Sequence, residues 1–197
     1  IKHPMMKALM NFSFPDVDDE VWKKQLKKTH SIRDFQCKFI YQSVQKVLNK
    51  SSDGLSTSGF EKLKINKSYL FISNHRDILL DTSLLNASLY EHDLIMTASA
   101  IGDNLVKKSF LKILAKLNRN FLVQRGLSPR EMLQSSKLLS EYIGQLLLYE
   151  NRSVWIAQRE GRTKDGNDST NPGVLKMLGM GSDEPNLMDY FKKIQIV

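Results

Sequence analysis

The segment Phe71-Ile-Ser-Asn-His-Arg-Asp-Ile-Leu-Leu-Asp81 concentrates the chemistry of this chain. His75 stands beside Asn74, Arg76 and Asp77, and Asp81 follows six residues after it. Histidine is the side chain whose ordinary proton affinity suits proton transfer near neutral pH. When a carboxylate holds one ring nitrogen, the other can take a proton from a hydroxyl. Asp77 and Asp81 are the two candidate carboxylates. Asp77 has a competing role, because an aspartate here can cap the helix that follows.

These side chains need a scaffold, and the surrounding pattern provides one. Residues 69–73 read as a buried strand and 78–89 as the helix after it. That puts His75 at the carboxyl end of a strand, where α/β sheets assemble their sites. Further strands are predicted at 94–98, 121–124, 154–157 and 194–197. Helices are predicted at 104–117 and 128–149, with a short one opening at Pro172. Alternation of this kind predicts an α/β fold with a mostly parallel central sheet covered by helices. Ahead of it, 18–50 reads as helical with a break near Thr29 to Arg33, and 51–59 is a polar, glycine-bearing connector. The expected organisation is an N-terminal helical segment, 1–58, and an α/β domain, 59–197. The chain opens at Ile1 and stops within an apparent strand, so a piece of a longer protein is expected.

Two more segments end apolar strands in charge. One is Phe121-Leu-Val-Gln-Arg-Gly126 and the other is Ile156-Ala-Gln-Arg-Glu-Gly-Arg-Thr-Lys-Asp-Gly166. In this order, with the Asn-His-Arg-Asp tetrad first, they resemble the three motifs of the glycerolipid acyltransferase superfamily, which includes the glycerol-phosphate and lysophosphatidate acyltransferases. The resemblance covers 59–197. Two departures stand out. The family's Asp follows its His after four residues, a place held here by Leu80, so Asp81 is the nearer counterpart and Asp77 the runner-up. The third motif is also one residue tighter between its Gly and its Arg. Pro172-Gly173 loosely matches a proline that often comes later.

The resemblance implies an O-acyltransferase of phospholipid biosynthesis. Such an enzyme moves a fatty acyl group from a thioester, acyl-CoA or acyl carrier protein, to a hydroxyl of a phosphorylated glycerol or lysolipid acceptor. His75 would be the general base and Asp81 or Asp77 its orienting partner. Arg125 and Arg162 offer planar forks for phosphate, and Lys164 adds a point charge. Gly161 lets backbone approach a ligand. Glu160 fits a role in fixing the loop, since it would repel phosphate. Asn74 and Arg76 complete the substrate-binding set. A thiolate leaves without a strong acid, so the family chemistry implies no cofactor and no metal. Two alternatives remain: an acceptor without phosphate, such as an amino-acid lipid, or a degenerate relative that only binds lipid.

Composition sets broad limits. The chain has 197 residues, 41% hydrophobic and 25% charged, enough for about one globular domain. Its single cysteine, Cys37, excludes an internal disulfide and fits a reducing, cytoplasmic compartment. A net charge of +8 calls for an acidic partner. Nucleic acid is the weaker choice, because the aromatics sit mainly at apolar periodic positions rather than among exposed basic residues. A metal hydrolase would need a second cluster of ligands, and His3, His30 and His92 stand in unrelated contexts. An anionic membrane surface suits the Lys107, Lys108, Lys112, Lys116 stripe on the expected 104–117 helix, with Lys23, Lys24, Lys27 and Lys28 second. Peripheral attachment at the cytoplasmic face is therefore expected, although the same stripe would also serve as a solvated face of a helix covering the sheet.

Overall fold

The computed structural model describes residues 3–165 and 169–197. Ile1 and Gly166, which closes the third motif, lie outside the described residues. At the centre is a four-stranded, all-parallel sheet made of β1 (Leu70–Ser73), β2 (Thr97–Gly102), β3 (Asn120–Val123) and β4 (Ser153–Ala157). Their order is β1-β4-β2-β3. Side chains alternate across it as the pleat requires. Leu70 and Ile72 of β1, with Val154 and Ile156 of β4, meet Ile143, Leu146, Leu178 and Tyr190. Those residues belong to α7 (Pro129–Leu148), α8 (Pro172–Gly179) and α9 (Leu187–Lys193). On the other face Tyr69, Phe71 and Trp155 pack with Leu94, Met96 and Leu89 of α5 (Leu80–Glu91). Each fully buried Leu, Val, Ile or Phe contributes about 1.5–3 kcal/mol, so this double coverage holds the sheet.

The N-terminal helices are α1 (Pro4–Ser13), α2 (Asp19–Lys27) and α3 (Ile32–Phe35), which runs through a π-helical turn, Gln36–Ile40, into α4 (Tyr41–Ser51). The break falls where expected, and Ser31 caps α3 by accepting the Asp34 N–H at 3.0 Å. Met6, Met10, Trp22, Phe35 and Phe39 form a core of their own with Phe110 of α6 (Ser109–Leu117). The basic helix is thereby anchored to the N-terminal segment.

Several elements differ from the sequence reading, and α1 and α9 were not among the elements expected from it. The second strand lies at Thr97–Gly102 rather than 94–98. Its Thr-Ala-Ser-Ala-Ile-Gly composition carries little strand propensity, yet a central strand flanked by helices selects small residues that admit them. Helix α6 begins at Ser109, five residues late, because Asp103–Leu105 forms a short 3-10 turn and Lys108 is extended at the cap. Lys107 and Lys108 therefore precede the helix instead of lying on its face. Helix α5 begins at Leu80, because the Asp77 carboxylate accepts the N–H groups of Leu79 and Leu80, each at 2.8 Å. The strand expected at 194–197 is reduced to an isolated parallel bridge between Leu70 and Ile196: Leu70 donates to the Gln195 carbonyl at 2.7 Å, and Val197 donates to the Leu70 carbonyl at 2.9 Å.

Candidate active site

Strand β1 ends at Ser73, and residues 74–79 turn across the carboxyl end of the sheet before α5 starts. This six-residue turn brings Asp81 back under the histidine. Its Oδ2 lies 2.7 Å from His75 Nδ1 and accepts the Arg76 N–H at 2.8 Å, while the Asp77 N–H points to the same carboxylate at 3.1 Å. With a carboxylate as its partner Nδ1 is the donor, and in the neutral ring Nε2 then keeps a free lone pair. The two side chains are 18% and 19% exposed, sheltered enough to keep their geometry and open enough to meet a ligand. Asp77 turns the other way, into the helix start, and those N–H bonds from Leu80 and Leu79 hold its carboxyl below the ordinary aspartate range. So His75, Asp77 and Asp81 do not converge as a ligand set. Among the described residues no group of three His, Cys, Asp or Glu does.

The ring is also positioned from β4. Trp155 stands edge-on to it with centroids 5.8 Å apart, and its indole N–H donates to Ser73 Oγ at 2.9 Å. Beyond β4 the chain loops back, and Thr163 donates its N–H to the His75 carbonyl at 2.7 Å. The buried Thr163 hydroxyl donates to Asn74 Oδ1 and accepts from Arg159 at 3.0 Å. Gly161 takes a φ of 75°, a left-handed turn that suits glycine, and this brings Glu160 and Arg162 to the cleft. Glu160 pairs with Arg125 from the end of β3.

His75, Arg125, Glu160, Gly161 and Arg162 thus line one cleft of about 690 Å³ over the carboxyl ends of the strands. Asn74 is tied to Thr163, Arg76 contributes its backbone N–H to Asp81 and is exposed, and Lys164 is exposed outside the cleft lining. A smaller cavity of about 230 Å³ lies beside the same cleft and shares Ile78, Thr82, Ile101 and Asn120 with its lining. It runs between α4 and α5, where Ile40, Val44 and Ala87 make it largely apolar.

Thr163 and Trp155 were not among the residues singled out from the sequence. Thr163 sits between Arg162 and Lys164, and a small hydroxyl between two cations gives no signal by itself. Gly102 was also missed: a Cβ there would come within 2.5 Å of Asn104 Oδ1 at the cleft wall, so a side chain at the end of β2 would displace that amide. A glycine closing a strand was the available sign.

Residues 54–178 match the model of the family described as Acyltransferase. No curated protein matches the chain. Among the described residues no helix is long and apolar enough to cross a membrane.

Proposed function

The chain belongs to the Acyltransferase family, and from that premise we propose that it moves a fatty acyl group from a thioester to a hydroxyl of a phosphorylated glycerol or lysolipid, with His75 as general base. The observation that carries this reading is the 2.7 Å contact between His75 Nδ1 and Asp81 Oδ2, made inside a cleft that also holds Arg125 and Arg162. Nε2 takes the proton of the acceptor hydroxyl as its oxygen attacks the thioester carbonyl. Asp81 stabilises the imidazolium that results. The tetrahedral intermediate then collapses, the C–S bond breaks, and the thiolate takes the proton back from His75. The products are an ester and a free thiol.

Arg162 and Arg125 favour an acceptor carrying phosphate, since a guanidinium fork matches its oxygens. Glu160 holds Arg125 in place and leaves part of its fork for a ligand. The apolar cavity between α4 and α5 suits the hydrocarbon of the acyl group. A lipid acceptor resides at a bilayer, and the exposed Lys108, Lys116 and Ile113 on and before α6 suit peripheral contact with anionic headgroups. The experiment is a thioester-consumption assay over glycerol phosphate, lysophosphatidate and phosphate-free lysolipids, including amino-acid lipids. Turnover restricted to phosphate-free acceptors would contradict the acceptor assignment, and none with any acceptor would contradict the reaction.

A further inference from the structure

We propose that Arg119, Arg152 and Arg33 form a binding site for a terminal phosphate group, at the end of the sheet away from His75. The site is independent of the acyl-transfer reading and uses none of its residues. Arg119 immediately precedes β3 and Arg152 immediately precedes β4. Both therefore stand at the amino ends of strands whose carboxyl ends carry the cleft. One strand, β2, runs between theirs, pairing Thr97 with Ser153 and Ser99 with Asn120. Arg33 comes from α3.

Backbone bonds fix where the first two side chains start. Arg119 donates its N–H to the Lys116 carbonyl at 3.0 Å, and its own carbonyl accepts the Ser99 N–H at 3.2 Å. Its φ is 57°, a left-handed turn that Asn adopts more readily than a long side chain does. Arg152 donates its N–H to the Leu146 carbonyl, in the last turn of α7, at 2.8 Å. The guanidinium groups lack such ties. Among the described residues none of the three forms an ion pair. Arg119 Nε is shut away from solvent without a hydrogen-bond partner.

The three are also close enough to act on one another. Burial lowers the proton affinity of Arg119, and the charges of Arg152 and Arg33 lower it further. Burial likewise lowers that of Arg152, followed by the charge of Arg33, and Glu150 opposes this less strongly. A guanidinium keeps its proton throughout the working pH range, so deprotonation offers no relief. Arg119 and Arg152 are half-buried, and a charge taken from water is costly until it is paired. An anion supplies the pair. A terminal phosphate offers three oxygens and up to two charges to several planar forks, where a carboxylate offers two oxygens and one charge. That group is common to soluble phosphate and to the headgroup of a phosphatidate, and the test separates the two.

The test compares the wild-type protein with Arg119→Gln and Arg152→Gln, and uses Arg162→Ala as the control for the cleft. Calorimetry measures the Kd for inorganic phosphate. Sedimentation compares vesicles holding phosphatidate with vesicles of equal charge holding phosphatidylglycerol, which has no terminal phosphate. The expected result is a Kd for inorganic phosphate at least about tenfold higher in each cluster variant, the scale of a lost charge-assisted contact, with Arg162→Ala leaving that binding in place. A preference for phosphatidate vesicles that both cluster variants lose, without binding of inorganic phosphate, would keep the site and put its phosphate on a lipid headgroup. Thermal melting in phosphate-free buffer is the second readout. With one of three like charges gone, each Gln variant should melt at or above the wild-type temperature. Variants that melt well below it would show that the arginines hold the fold, and would overturn the proposal. So would a wild-type protein that neither binds inorganic phosphate nor prefers phosphatidate, cluster variants that do both as the wild type does, or a loss confined to Arg162→Ala.

Discussion

The carbonyl of His75 accepts the backbone N–H of Thr163 at 2.7 Å, which ties the loop after β4 to the loop after β1 where the two strands lie side by side. The Thr163 hydroxyl reinforces the tie through Asn74. Histidine and arginine loops are therefore one unit, and movement of either displaces the other.

Thr163→Val keeps the volume and the backbone bond but removes the hydroxyl. It should lower stability by about 1–3 kcal/mol, the cost of stranding polar partners in a part-buried site. Because the effect on catalysis is through position, kcat should fall with KM little changed, and Thr163→Ser should restore it. Thermal melting and steady-state kinetics on the three proteins check this. A Thr163→Val enzyme with wild-type kcat would make the hydroxyl purely structural.

Asp81 and Asp77 should separate cleanly. Asp81→Asn is expected to reduce kcat more than Asp77→Asn, because Asp81 alone touches the ring. Asp77→Ala should cost about 1 kcal/mol of stability, as loss of a cap does. The Asp77 carboxyl is held low in the folded state by the Leu80 and Leu79 N–H groups. Its contribution to stability is therefore full above the ordinary aspartate value and is lost as pH falls through the folded one. Acid melts of Asp77→Asn should lack that part of the pH dependence. A larger kcat loss for Asp77→Asn would reverse the assignment.

Arg162→Ala and Arg125→Ala should each raise KM for a phosphorylated acceptor by about ten- to a hundredfold, the scale of a lost charge-assisted contact. A phosphate-free acceptor should be nearly indifferent. Glu160→Gln should affect Arg125 alone, since that is the arginine it pairs. Unchanged KM values in both arginine variants would remove them from the acceptor site.

Much of this arrangement was legible in the sequence, for physical reasons. Apolar runs ending in His75, Arg125 and Glu160 marked three strands, because β1 and β4 are covered on both faces and so are largely apolar, and the edge strand β3 keeps the same apolar run while Leu122 stays exposed. The helix expected at 128–149 starts where predicted, and in the structure Ser128 and Glu131 form both halves of a capping box. Strand β2 was displaced because Ala98, Ser99 and Ala100 carry no strand signature, and their place is set by the helices they admit. The reach of Asp81 to His75 depends on a turn whose shape is fixed by bonds from four backbone N–H groups, those of Arg76 and Asp77 to Asp81 and those of Leu79 and Leu80 to Asp77, which spacing alone does not encode. Thr163 was invisible because its partners, Asn74 and His75, lie some ninety residues away in the chain.

Membrane contact can be tested apart from catalysis, because Lys108 and Lys116 do not line the cleft that holds His75. The protein should sediment with anionic vesicles at low ionic strength and be released as salt screens the contact. Lys108→Gln/Lys116→Gln should weaken binding by about 1 kcal/mol per lysine and leave turnover of a water-soluble acceptor intact. Wild-type protein that ignores such vesicles would show that these lysines are only solvated.

The central claim is that His75 is the base, and the direct measurement is thioester consumption by His75→Ala beside the wild type under saturating donor and acceptor. Circular dichroism and thermal melting confirm that the variant is folded. A fall in kcat of at least about a hundredfold, the usual contribution of a general base, is the result this account predicts. Turnover at the wild-type rate in a folded His75→Ala protein would contradict it.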